Sequence, residues 1–254
     1  MAVDLDFGPG SPPARPGGAE SPRVAGMRVA GVRLAADLAT LLSGAEPDRV
    51  VGVDMPLGLL DEGWRLADRE ARALLGPRRS SIFAIPPGPV WRESGYAAAN
   101  ERCRALTGAG FSVQAWGLRR KLIEANGYRL RCRHPLYEVH PELSFSAMAG
   151  GPLRHPKHSR PGHAERRAVL AAAGIELPGE AGLPGEGGLP GEGGLAGEGG
   201  LPERHRAALR RVAVDVLDAA AAAWTALRIA AGRARTLPDP PQTDAHGHEV
   251  AIRY

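Results

Sequence analysis

An α/β domain is what this 254-residue sequence predicts, on three observations. Two β-branched apolar runs, RVAGMRVAGVRL (23–34) and RVVGVDMPLG (49–58), flank a helical stretch, AADLATLLSG (35–44), in a β-α-β rhythm. The second run ends in a lone carboxylate, Asp54, with Pro56 and Gly58 close behind, which puts an acid at the end of a buried strand. Length and a 43% hydrophobic content suit one domain with a sizeable core.

The elements follow in order. Residues 8–23, GPGSPPARPGGAESPR, hold nothing to bury and read as a flexible loop, so 1–23 is set apart from a core over 24–176. Gly44 stops the short helix 35–44, and REARALLG (69–76) is a helix ended by Gly76. RRSSIFAIPPGP (78–89) is a turn-rich crossing. VQAWGLRRKLIEANG (113–127) is helical, with Val113, Trp116, Leu118, Leu122 and Ile123 as an apolar stripe and Gly127 as its C-cap. PLYEVHPELSF (135–145) reads as a strand. Residues 177–203 repeat a Gly-rich hexapeptide. Glycine at every third position invites a collagen reading, but a short duplicated hexamer gives that period on its own, and a flexible linker is the better account. One long helix is expected over 203–232, within a segment 204–254 that completes the same domain.

Composition narrows the function classes. Net charge is +4 and the pI near 9.5, yet only Lys121 and Lys157 are lysines, and an Arg- and Ala-heavy chain carries little evidence for a polyanionic partner by charge alone. Two cysteines, Cys103 and Cys132, are too few for a metal knuckle or a disulfide scaffold, and no signal peptide is evident, so a cytoplasmic protein is expected. The most apolar stretch, VLDAAAAAWTALRIAAG, contains Asp218 and Arg228 and falls short of a membrane span.

Three groups of acids stand out. Asp54 sits at a strand end, where ligand crevices of open α/β sheets form. In YEVHPELSF, strand alternation would put Glu138, His140 and Glu142 on one face. In VAVDVLDAAAAAW, Asp215 and Asp218 are three apart on a helix and so share a face, with Val212, Val216, Ala219 and Ala223 around them for packing. A set of oxygen ligands suits Mg²⁺ or Mn²⁺ rather than zinc, and such ions serve phosphoryl displacement. No GxxxxGK[ST] loop and no G-x-S-x-G elbow occurs, while His134, His155, His158 and His163 fall in Arg- and Pro-rich loops.

The blocks VVGVDMPLGLL, GPRRSSIFAIPP, QAWGLRRKLIE, YEVHPELSF, PLRHPKHSRPGHAERRAVL and VDVLDAAAAAWTALRIAAG, in that order, resemble the domain of unknown function 429 family, regarded as predicted nucleases of the ribonuclease H-like fold. The resemblance implies a mixed five-stranded sheet flanked by helices, with acids on strand one, strand four and the final helix. Asp54 matches the strand-four acid, and Asp215 and Asp218 the final-helix pair; Val214 stands where the family often carries another Asp. MAVDLD looks like the family's second strand, so the first strand and its Asp are expected to be missing, through a start placed too far downstream or a true truncation.

The expected function is a metal-dependent nuclease acting on nucleic acid. Asp54, Asp215 and Asp218 hold Mg²⁺ or Mn²⁺, Glu138 or Glu142 ligates or orients the water, and Arg79, Lys121 and Lys157 contact phosphate. The rival expectation is an inactive nuclease-fold scaffold binding nucleic acid or protein. A nucleotide phosphotransferase of related architecture would need a second domain that this length lacks.

Overall fold

A computed structural model of the chain describes residues 2–9, 27–177 and 203–254. The loop expected over 8–23 and the repeat tract 177–203 fall almost wholly outside those residues. The elements are β1 (Ala2–Pro9), β2 (Met27–Ala35), α1 (Leu38–Leu41), β3 (Val51–Val53), α2 (Leu66–Leu75), α3 (Tyr96–Thr107), α4 (Val113–Trp116), α5 (Arg119–Arg129), β4 (Leu136–Val139), α6 (Pro141–Ala149), α7 (Arg160–Ala172), β5 (Ile175–Glu176), α8 (Glu203–Ala230), β6 (Thr236–Thr243) and β7 (Glu249–Arg253).

A mixed four-stranded sheet in the order β3-β4-β7-β6 forms the centre, with β3, β4 and β7 parallel and β6 antiparallel at one edge. Helices cover both faces. On one face α8 brings Val216, Leu217, Ala220, Ala221 and Trp224 against Phe145 of α6 and Leu170 of α7. Near the other, Leu42, Leu57, Ala125 and Leu136 pack together. A third cluster joins Ala67, Ala71 and Leu75 of α2 to Leu143, Ile252 and Tyr254. An aromatic group outside the sheet stacks Trp91 on Trp116, centroids 6.1 Å apart, with Phe111 edge-on to both.

The continuous five-stranded sheet does not form among the described residues. β1 and β2 pair antiparallel and, with β5 parallel to β2, make a separate three-stranded sheet. Two C-terminal strands instead extend the central sheet beyond β4, and β3 stands at its other edge.

Three local expectations are corrected. The strand 135–145 stops at Val139, and a helix starts at Pro141, because proline at the first helical position brings a pre-set φ and loses only an N–H that has no intrahelical partner there. Glu138 and Glu142 therefore do not share a strand face. The helix 113–127 breaks at Gly117–Leu118 into α4 and α5, which throws its stripe out of phase: Leu122 is buried while Val113 and Ile123 are 55% and 46% exposed. α5 runs on to Arg129, so Gly127 lies inside it rather than capping it. The helix 35–44 shortens to one turn, α1, capped by Asp37 accepting from the Thr40 N–H at 2.8 Å.

Close helix–sheet packing depends on Gly52 of β3. A Cβ there would lie 2.8 Å from the Ala222 carbonyl oxygen of α8 and 3.0 Å from Val139 Cγ2. Gly52→Ala is expected to cost about 1–3 kcal/mol by forcing sheet and helix apart, read as a lower urea midpoint with an unchanged m-value.

Candidate functional site

Asp54 follows β3 directly and is carried by a pinned turn. Gly58, at φ +82°, packs where a Cβ would lie 2.6 Å from Val250 Cγ2. Its N–H donates to Asn126 Oδ1 of α5 at 2.8 Å, Asn126 Nδ2 donates to the Pro56 carbonyl at 2.9 Å, and the Leu57 N–H donates to Glu138 Oε2 at 2.8 Å. The strand-end acid is therefore held by α5 and β4 together.

Asp54, Asp215 and Asp218 converge on one cavity of about 420 Å³. Its walls are the outer edge of β3, the Leu38, Leu41 and Leu42 side of α1, Lys121 and Glu124 of α5, and the alanine stripe Ala219, Ala222, Ala223 and Ala226 of α8. Asp54 and Asp215 are open to water, while Asp218 is buried. Asp218 Oδ2 accepts from Lys157 Nζ at 3.1 Å, and its Oδ1 is buried with no hydrogen-bond partner among the described residues.

Burial pushes the Asp218 carboxyl up to about 6, with the Lys157 ammonium opposing and the Asp54 charge adding to the rise. Crowding by protein atoms likewise raises Asp54 to about 6, again against Lys157 and helped by Asp215. The Asp54 side chain is open to solvent through the cavity, which limits that rise. His140 is held below its ordinary range by burial. Its Nε2 lies 3.2 Å from the Ser81 carbonyl, and a neutral imidazole donates there.

A carboxyl whose folded pKa lies above its unfolded value binds its proton more tightly in the native state, so its contribution to stability falls as pH rises from about 4 through about 6. With metal chelated, Asp218→Asn is expected to gain stability relative to the parent chain across that window. The melting-temperature difference between them at pH 5 and pH 7.5 checks this; a difference that stays flat would contradict the burial account.

Glu142, in the first turn of α6, pairs with the buried guanidinium of Arg166, and its charge acts on Asp54, Asp218 and Lys157. Glu138 is drawn into a different network. Its Oε2 accepts from Arg65 at 2.5 Å, and Arg65 Nε lies 3.7 Å from Asp68, which in turn accepts from the Ile85 N–H at 2.8 Å. One guanidinium serves two buried carboxylates, so burial, with repulsion from Asp68, lifts Glu138 to about 7. Lys121 lines the cavity, whereas Arg79 is exposed on the 3-10 turn Gly76–Ser81 and is not part of the lining. Arg65, Arg166 and Asn126, which hold the acids in place, carried no signal in the sequence: nothing marks a buried arginine among thirty.

The donor set fits a hard divalent ion. Mg²⁺ keeps several waters and needs only one or two protein carboxylates, and the orphaned Oδ1 of Asp218, with the charges of Asp54 and Asp215 beside it, offers that. No group of three or more His, Cys, Asp or Glu among the described residues is arranged to hold a metal ion by itself. No described helix is long and apolar enough to cross a membrane.

Fold and site together define an α/β protein with a carboxylate-rimmed cavity at the end of a parallel strand. The family model described as Protein of unknown function (DUF429) matches residues 17–243, and the chain belongs to that family. No curated protein and no solved structure matches it.

Proposed function

We propose that the protein is a divalent-metal-dependent phosphodiesterase of ribonuclease H-like type that cleaves nucleic acid. The observation that carries this reading is the convergence of a strand-end acid, Asp54, with a helical pair, Asp215 and Asp218, on one cavity, where a buried oxygen of Asp218 has no hydrogen-bond partner among the described residues. Asp54 and Asp218, with Asp215 beside them, are the groups that would hold Mg²⁺ or Mn²⁺. When bound, the ion supplies charge stabilisation for the attacking and leaving oxygens. Glu142, paired with Arg166, adds negative charge that acts on Asp54 and Asp218. Glu138 supports the Asp54 turn through Leu57 rather than acting on substrate. Lys121 and Lys157 supply positive charge for the phosphate.

Cleavage of labelled DNA, RNA and branched substrates with Mg²⁺ or Mn²⁺ tests the proposal, and cleavage that persists in chelator would overturn it. A second reading, a scaffold that binds nucleic acid or protein without cutting, draws on one observation: Lys157 already neutralises Asp218. It predicts binding that no metal alters.

A further inference from the structure

We propose that Lys157 is a built-in counter-cation of the acidic site, holding the place beside Asp218 that a divalent ion takes over, so that metal binding displaces its side chain. The inference rests on the metal-dependent reading above. Like charges crowded around a buried carboxylate repel, and Asp218, buried beside the charge of Asp54, calls for a cation in the metal-free state. Lys157 provides it: Nζ is 3.1 Å from Asp218 Oδ2, and its charge also acts on Asp54 and Glu142.

The backbone around Lys157 is fixed. Arg78 donates to the Leu153 and Arg154 carbonyls, Glu165 accepts from the Arg154 and His155 N–H groups at 2.9 Å each, and Arg166 donates to the His155 carbonyl at 3.4 Å. Gly162 lets the Pro156 carbonyl press against α7, where a Cβ would stand 2.0 Å away. The side chain, by contrast, has a way out. It is 39% exposed, whereas the guanidiniums of Arg65 and Arg166 are each 1% exposed and bound to their carboxylates. A point charge on a flexible four-carbon stem releases a carboxylate more readily than a planar fork does. Lysine is thus the residue type suited to yield to an ion, and the ammonium and the ion compete for one oxygen set.

The test is Mn²⁺ alone, titrated calorimetrically into the full chain, Lys157→Gln and Lys157→Arg. Removing the competing charge is expected to tighten Mn²⁺ binding by at least about fivefold, the lower end of ordinary coupling between two ligands. The Arg variant is expected to bind no tighter than the parent. Because Lys121 and Lys157 are the only lysines, acetic anhydride labelling read by peptide mass gives a direct view of displacement: Lys157 modification rises on adding Mn²⁺, relative to Lys121. If the parent binds Mn²⁺ and Lys157→Gln binds it equally or more weakly, the counter-cation role is overturned while the metal reading stands. If neither chain binds Mn²⁺, both fall.

Discussion

Asp218→Asn is expected to lower metal-dependent cleavage by about 10²–10⁴-fold, since charge stabilisation by a bound ion is worth several kcal/mol and each 1.36 kcal/mol is a factor of ten. At Asp218 one oxygen accepts from Lys157, and the other is buried with no hydrogen-bond partner among the described residues. Asn keeps the shape and one oxygen but loses the charge, so the fold is expected to persist. Asp54→Asn should act in the same direction from the strand end that lines the same cavity. Nucleic-acid affinity in chelator separates the readings. A nuclease loses turnover and keeps binding, whereas a scaffold shows no turnover to lose in the parent chain. Single-turnover cleavage with Mn²⁺, set beside filter binding, decides between them.

The largest effect on stability is expected at Arg65. Its side chain is buried between Glu138 and Asp68, and Arg65→Ala strands two carboxylates away from water at once. Breaking a buried ion pair from one side costs about 3–5 kcal/mol, because the surviving charge is left uncompensated. Urea unfolding of the variant at pH 7.5 measures it. The penalty should shrink as pH falls toward 5, since Glu138 and Asp68, both already raised by burial, take up protons and cease to need the cation. The site is expected to suffer as well, because Glu138 holds the Leu57 N–H and with it the turn that carries Asp54.

Much of the site was legible because its acids break an apolar context. Asp54 ends a run of Val and Gly, and Asp215 and Asp218 interrupt a helix otherwise rich in Val, Leu and Ala. What misled was punctuation. YEVHPELSF alternates well enough to pass for one strand, yet Pro141 begins a helix and sends Glu142 to Arg166 while Glu138 stays with Arg65. TLPDPPQT forms β6, an edge strand paired among the described residues only to β7 and irregular in register between Leu237 and Gln242, where proline's missing N–H leaves no gap in a ladder. α3 ends at Gly108 in the left-handed conformation, a stop signal of the ordinary kind, but it starts after Gly95 with no side-chain cap, so YAAANERCRALT announced only its end. The buried arginines belong to tertiary packing, which no local pattern encodes.

The two sheets share no ladder among the described residues: β1 ends one and β3 ends the other, and α8 touches both. Backbone hydrogen bonds are what bind strands into a single cooperative unit, and here that cooperativity has a seam. The sheet built from β1, β2 and β5 can part from its ladder without breaking one hydrogen bond in the sheet that presents Asp54. Mutational damage to β1 and β2 should thus spread to the acidic site through packing alone: through α8, the helix that carries Asp215 and Asp218, and through α1, which packs on both strands and lines the cavity.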